Sequence, residues 1–300
     1  YFRPEQLKYA IDKNKHVFCE KPVAVDAPGV RSVLASCEEA KKKSLNVVSG
    51  LCYRYHLPKR ETYKRIHEGE IGDVRAIYTT YYTGPLWHHG RKDNWTDMEW
   101  QVRNWIYFNW LSGDHIAEQH IHSLDKASWA LKDETPVACV GAGGRQVRTE
   151  PKFGDVFDHF NVMYEYASGP MVFAGCRQMA GCYNDVNDIV IGTTGKADIQ
   201  RNLVNGKNIW RNKENPNPNM YDQEHAELFA AIRSGNPINN GQYMANSTLM
   251  ALMGRMSAYT GQRITWEKAM NSNVKLGPEV VELGPAPAVV LPVPGINTLS

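Results

Sequence analysis

The sequence predicts an α/β protein in two unequal parts: the tail end of a parallel sheet wound with helices, then a larger α+β unit built on a mostly antiparallel open sheet. Three observations carry this. Helix and strand patterns alternate twice within the first 50 residues. Five or more later segments alternate apolar and polar residues with period two, separated by Gly, Asn and Asp turns. Helical periodicity returns after residue 220, in two segments that each close on a glycine.

Taken in order, Pro4 stands in the first turn of a short helix whose apolar positions are Leu7, Ala10 and Ile11. His16 to Cys19 is a brief apolar run suited to a buried parallel strand. Asp26-Ala27-Pro28 opens a second helix with Val30, Val33, Leu34 and Cys37 at spacings of three and four. Leu45 to Val48 is a second buried strand, and a helix follows near residues 58 to 69. The period-two segments are "DVRAIYTTYYTG", "PVACVGAGGRQV", "VFDHFNVMYEYAS", "PMVFAGCRQMA" and "NDIVIGTTGKADI". The late helices are "YDQEHAELFAAIRSG", closing on Gly235, and "QYMANSTLMALMGRMSAYTG", closing on Gly261. Residues 276–300 carry Pro278, Pro285, Pro287, Pro292 and Pro294 and are expected to lie extended over the surface.

Thirty-four basic residues against 32 acidic ones leave a formal charge of +2, too even for a nucleic-acid surface or an anionic membrane. Lys41-Lys42-Lys43 closes the second helix, where cations suit the helix dipole. No stretch approaches the roughly 18 apolar residues of a membrane span. The six cysteines are scattered without a CxxC pair, so free thiols are expected.

Two motifs carry chemistry. Glu20-Lys21-Pro22 ends the first strand, at the carboxyl edge where α/β sheets collect ligands. "GDHIAEQHIHSLD" places Asp114, His115, Glu118, His120, His122 and Asp125 within twelve residues. On a helix, Glu118 and His122 share one face, a workable pair in which a carboxylate orients an imidazole for proton transfer. Shared metal ligation by His115, Glu118 and His122 is the rival; the segment lacks HExxH spacing, and no metal is expected. Gly141 to Arg145 ("GAGGR") resembles half a dinucleotide fingerprint but opens no helix, so a glycine-kinked strand is the better reading. Upstream, Tyr81, Tyr82, Trp87, Trp95, Trp100, Trp105, Tyr107 and Trp110 are interleaved with His88, His89, Arg91, Asn94 and Arg103. Core packing and a sugar-binding cleft fit that cluster equally.

"KHVFCEKPVAVD", "LCYRYHLP", "GDHIAEQHIHSLD" and the closing "EHAELFAAIRSGNPINN…STLMALMGRMSAYTGQRITWE" together resemble the Gfo/Idh/MocA oxidoreductases over essentially the whole chain. The resemblance implies residues 1–54 as the C-terminal portion of an NAD(P)-binding Rossmann domain. Residues 55–275 would form a substrate and dimerisation domain, and 276–300 a tail. The fold class is then the C-terminal part of a Rossmann-like parallel sheet plus an α+β domain. It also implies that the glycine fingerprint lies outside these 300 residues, in the first half of that domain, so this chain alone is expected to hold NAD weakly and to be inactive.

By the same resemblance, Lys21 matches the catalytic, cofactor-adjacent lysine, with Glu20 and Pro22 shaping its loop, and His122 matches the catalytic histidine. In Glu118-Gln119-His120-Ile121-His122, glutamate replaces the usual aspartate and histidine the usual glycine. Tyr53 and Arg54 match an aromatic-basic pair near the nicotinamide. Arg103, Trp105, Tyr107, Trp110, His115 and His120 are the expected substrate-binding residues. The implied activity is hydride transfer between NAD or NADP and a secondary hydroxyl of a sugar, glycoside or polyol, with Lys21 or His122 as base. The alternatives are a redox-neutral lyase or hydrolase using transient sugar oxidation, and a non-catalytic binding or assembly module. The implied partners are a small sugar or polyol and further copies of the chain, as homodimer or homotetramer through the open sheet. The "GDHIAEQH" variant resembles a subgroup of sugar-degrading bacteria often exported by a twin-arginine signal, so a cytoplasmic or periplasmic location is implied.

Overall fold

The computed structural model describes residues 1–210 and 218–296. The chain runs α1 (Arg3–Asp12), β1 (Val17–Cys19), α2 (Ala27–Lys42), β2 (Val47–Ser49), a 3-10 turn (Cys52–Tyr55), α3 (Leu57–His67) and β3 (Val74–Thr83). It continues through α4 (Asp97–Arg103), a 3-10 turn (Trp105–Tyr107), α5 (Asn109–Ser112), α6 (His115–Glu118) and α7 (Ile121–Ala130). Strands β4 (Ala138–Gly144), β5 (His159–Glu165), β6 (Met171–Gln178) and β7 (Asp185–Gly192) follow, then the short β8 (Lys196–Asp198), β9 (Leu203–Val204) and β10 (Lys207–Asn208). Helices α8 (Met220–Ser234) and α9 (Gly241–Thr260), strand β11 (Ile264–Thr265) and α10 (Trp266–Met270) complete the order.

Two sheets result, as the α/β pattern predicts. β1 and β2 pair in parallel, Val17 opposite Val47. The far edge of β2 is occupied by the segment before α9: the Val47 amide donates to the Ile238 carbonyl at 2.8 Å, and the Asn240 amide donates to the Val47 carbonyl at 2.9 Å. The large sheet has nine strands among the described residues, in the order β10-β9-β8-β7-β3-β6-β5-β4-β11. Only β3 and β6 run parallel; the other neighbours are antiparallel. Four of these strands, β8 to β11, span only two or three residues each. They are too brief to show a period in sequence. "NDIVIGTTGKADI" is two strands, because Gly192 and Gly195 close a turn between β7 and β8 with a 2.8 Å backbone bond.

Local chemistry explains the helices. The Asp26 carboxylate caps α2 by accepting from the Gly29 amide at 2.8 Å, Pro28 fits its first turn, and Lys41 and Lys42 close it. Its buried stripe, Val30, Val33, Cys37 and Ala40, faces α1 on one side and α9 on the other. Helix α9 is buried almost all round, which is what a helix apolar on every side requires. It lies against β4, β5, α2, α6 and α7 and is the spine of the molecule. Leu7, Val33 and Val47 from the first 54 residues share a core with Ile121 of α7 and Met244 of α9.

The large sheet turns Phe160, Val162, Tyr164, Val172 and Ala174 inward under these helices. Its other face leaves Tyr78, Val140 and Phe173 exposed. Residues 276–296 form no helix or strand and cross α4, where the Met98 amide donates to Gly284 and the Gln101 amide group to Pro287, both at 3.0 Å. The end of the expected tail, residues 297–300, lies outside the described residues. Every cysteine is free, and only Cys182 is exposed.

The "GAGGR" glycines lie on β4, where they let α9 approach. A Cβ on Gly141 would meet the Gly254 carbonyl at 3.1 Å, and one on Gly254 would meet the Tyr164 hydroxyl at 2.3 Å. That hydroxyl donates to the Met250 carbonyl inside α9 at 3.0 Å. Gly254→Val should therefore lower unfolding free energy by about 1–3 kcal/mol in urea titration; an unchanged midpoint would show that α9 does not press on the sheet as described.

Candidate active site

The site is assembled where the loop after β1 meets the turn between α6 and α7. The loop is held from both sides. Arg3 Nη1 donates to the Pro22 carbonyl at 3.2 Å, the Val23 amide to Thr248 Oγ1 at 3.3 Å, and Arg255 Nη2 to the Val25 carbonyl at 2.9 Å. Glu20 is exposed and accepts from the Lys21 amide at 3.2 Å. Lys21 extends across to α6. Its Nζ lies 3.1 Å from Glu118 Oε1 and also donates to the Glu118 carbonyl, the acceptor left free at the end of that helix. Both side chains are mostly but not wholly buried, 16% and 18% exposed, so the pair faces solvent at one end.

The segment 114–125 is not one continuous helix. Asp114, at φ +68°, caps α6, which ends after a single turn at Glu118; α7 starts anew at Ile121. The break redirects Glu118, whose carboxylate pairs with Lys21 and not with the His122 ring. His122 instead packs edge-on against Tyr53, ring centroids 5.6 Å apart. Its Nδ1 is buried with no hydrogen-bond partner among the described residues. Burial first, then the charges of Lys21 and Lys126, push its pKa down to about 3, so the ring is neutral across ordinary pH.

Under Tyr53 lies a charge cluster that the sequence reading missed. Lys126 Nζ sits 4.4 Å from the Tyr53 ring centre and Lys59 Nζ 5.3 Å. Lys126 is fully buried and paired with buried Asp188. Burial and then Lys126 lower the Lys59 pKa to about 8. Nearby Glu224 is buried and pushed up to about 8 by burial and then by Glu20. No clear signal marked it in the sequence, because Lys126 follows Asp125 and Asp188 follows Asn187, so neither stands out as an ion within an apolar stretch.

Other expected site residues lie elsewhere. Arg54 is buried with its guanidinium fully engaged, bonding Asp125 at 2.9–3.2 Å and Asp133 at 2.6–3.2 Å. The rings of Trp129 and Tyr243 cover its faces. It is a strut between α7 and the turn after β2, its guanidinium held by the two aspartates. His115 is buried, its Nδ1 on Asp114 at 3.0 Å. His120 is buried too, its Nε2 on Thr79 Oγ1 of β3 at 3.0 Å. Both are buried in the core. Asp114 stays ionised: burial pushes its carboxyl up, but bonds from His115, Tyr259 and the Phe157 amide outweigh that and hold it below the usual carboxylate range.

The aromatic cluster divides. Tyr107 and Trp110 are core, the first bonded to the Leu86 and Trp87 carbonyls and the second to Gln101. Arg103 is exposed, bridging Glu99 and stacking on Trp95. Trp105 alone of these reaches the site: 38% exposed, it lines a cavity of about 300 Å³ together with Lys21 and Pro22.

Glu20, Lys21, Pro22 and Tyr53 ring the carboxyl ends of two parallel strands, which fits a nicotinamide end. Among the described residues no glycine turn opens a helix at that edge, so the pyrophosphate is assigned to none of them. Nor do three His, Cys, Asp or Glu side chains gather as metal ligands among the described residues. No described helix is long and apolar enough to cross a membrane.

In this arrangement a lysine from a parallel-strand edge meets a carboxylate carried by a helix on an open sheet. Residues 60–198 match the GFO/IDH/MocA C-terminal domain, which bears out the resemblance to the Gfo/Idh/MocA oxidoreductases. It is 26% identical over 249 residues to 2,7-anhydro-N-acetylneuraminate hydratase of Escherichia coli, covering 79% of this chain and 62% of that protein. It is 29% identical over 126 residues to inositol 2-dehydrogenase of Salmonella typhimurium, covering 42% of this chain and 31% of that one. The chain thus spans less than two thirds of these curated relatives. In fold it is similar to aldose-aldose oxidoreductase from Caulobacter crescentus complexed with glycerol, with TM-score 0.67, 20% identity, and 88% and 76% of the two chains covered. It is likewise similar to GenD2 from gentamicin A biosynthesis in complex with NAD, with TM-score 0.67, 17% identity, and 88% and 75% covered.

Two tests follow. Arg54→Met leaves Asp125 buried without its partner and should cost about 3–5 kcal/mol of stability by chemical denaturation; a neutral outcome would return Arg54 to the list of ligand-binding candidates. His120 and His122 are both held near 3 against an ordinary 6.5. The unfolded chain therefore binds more protons between pH 6.5 and 3, and stability falls as pH drops through that window. His120→Gln should make the fall shallower in unfolding measured from pH 7 down to 4.

Proposed function

We propose that this chain carries the substrate-side catalytic residues of an NAD(P)-dependent oxidoreductase acting on a secondary hydroxyl of a sugar or polyol. The observation that supports this most is the meeting of Lys21 and Glu118, with His122 close enough that the lysine charge depresses its pKa. When bound, the nicotinamide supplies the hydride acceptor. Lys21, held at the cavity edge by Glu118, hydrogen-bonds the substrate oxygen and offsets the negative charge that develops there. His122, half-buried and neutral in the resting site, takes the hydroxyl proton on its ring. An oxyanion forming nearby favours the imidazolium, so its affinity for the proton rises when the transfer occurs. Glu20, Pro22 and Tyr53 shape the nicotinamide side. Tyr78, Val140 and Phe173 on the open sheet face support association between copies.

The relatives named as 2,7-anhydro-N-acetylneuraminate hydratases favour a second reading, in which the sugar is oxidised transiently and the hydride returned. The same residues serve both. Absorbance of reduced nicotinamide separates them, since net oxidation accumulates it and a redox-neutral cycle does not.

In the holoenzyme, His122→Ala and Lys21→Met should each slow single-turnover hydride transfer by roughly 10²–10⁴. Near-normal rates in both variants would refute this assignment.

A further inference from the structure

We propose that the cavity beside Lys21 accepts an anionic substituent of the substrate, the carboxylate of a sugar acid, and that Arg3 is the residue that selects it. This rests on reading the Lys21 site as one for sugars or polyols, and names the class within it.

The cavity holds about 300 Å³ and is bordered by Arg3, Gln6, Lys21, Pro22, Val102 and Trp105. That is the lower end of the range for small-ligand sites, roughly 300–1,000 Å³. Its two cations are not equivalent. Lys21 is neutralised by Glu118. Arg3 spends one N–H on the Pro22 carbonyl and has no carboxylate within ion-pair distance among the described residues. The acids of the adjoining loop are engaged otherwise: Glu20 accepts from the Lys21 amide, and Asp26 from the Gly29 and Leu276 amides. A guanidinium carries five donors, so Arg3 keeps a fork free for a planar anion. Arg54 shows the contrast within the same chain, with both edges occupied by aspartates.

The opposite wall suits a sugar. Trp105 presents a partly exposed indole and Val102 an exposed side chain, an apolar surface for ring C–H groups. A neutral hexose resting there leaves the guanidinium without a counter-charge, whereas a uronate meets it bidentately. Dinucleotide phosphates are the other source of negative charge. The bond from Arg3 to Pro22 argues for the substrate, because it fixes the guanidinium one residue from the lysine at the reacting end.

The test uses the cofactor-loaded protein and matched probes, glucose against glucuronate and galactose against galacturonate, with affinities from calorimetry. The acid of at least one pair should bind on the order of ten- to a hundredfold tighter than its neutral partner. In Arg3→Gln that ratio should collapse toward one. Equal binding of acid and neutral sugar, or a ratio unchanged in the variant, would overturn the proposal. A loss confined to NAD or NADP affinity would also overturn it, by giving Arg3 to the dinucleotide. Failure of every sugar and acid to bind would remove the sugar-site reading itself, a result distinct from equal binding.

Discussion

The contact between Lys21 and Glu118 joins parts of the chain 97 residues apart and is the centre of the proposed site. One partner stands at the carboxyl end of a two-stranded parallel sheet, and the other at the end of a one-turn helix beside a nine-stranded sheet. An ammonium bonded to both a carboxylate and a helix-terminal carbonyl is fixed in direction. Its reach depends on the loop behind it, which Arg3, Thr248 and Arg255 hold by the backbone. Helix α9 supplies two of those three anchors and packs on both sheets, so the same element sets the distance between the lobes and the position of the lysine.

Charge inside this protein is arranged by pairing. Arg54 with Asp125 and Asp133, Lys126 with Asp188, and Asp114 with His115 each place an ion in the interior with compensation. Such pairs add little net stability, but removing one partner is costly, which makes them effective at fixing geometry. Their effect on the site is indirect. Burial first, then Lys21 and Lys126, keep His122 uncharged. Arg3, on the cavity wall, has no carboxylate within ion-pair distance among the described residues.

The fold was legible wherever an element was long enough to show its period. The amphipathic α2, the late helices closing on Gly235 and Gly261, and strands β3 to β7 all announce themselves through spacing and caps. The short strands β8 to β11 do not, because two or three residues carry no period and exist only by pairing with neighbours. The histidine-rich segment misled for a related reason. Its i, i+4 spacing describes one helix face only while the helix continues, and here α6 ends at Glu118 and α7 starts anew at Ile121.

What the sequence alone determined, then, is the set of elements and the chemistry at hand: parallel strands ending on Glu20-Lys21-Pro22, a later open sheet, and a carboxylate-imidazole segment between them. Tertiary structure decided which of those groups meet. It sent Glu118 to Lys21, buried His115, His120, Tyr107 and Trp110, locked Arg54 between two aspartates, and left Trp105 and Arg3 at the cavity. The reason is physical. Periodicity reports which side of an element is buried, whereas the direction of a polar side chain depends on the partner that desolvation obliges it to find, and that partner lies far away in sequence.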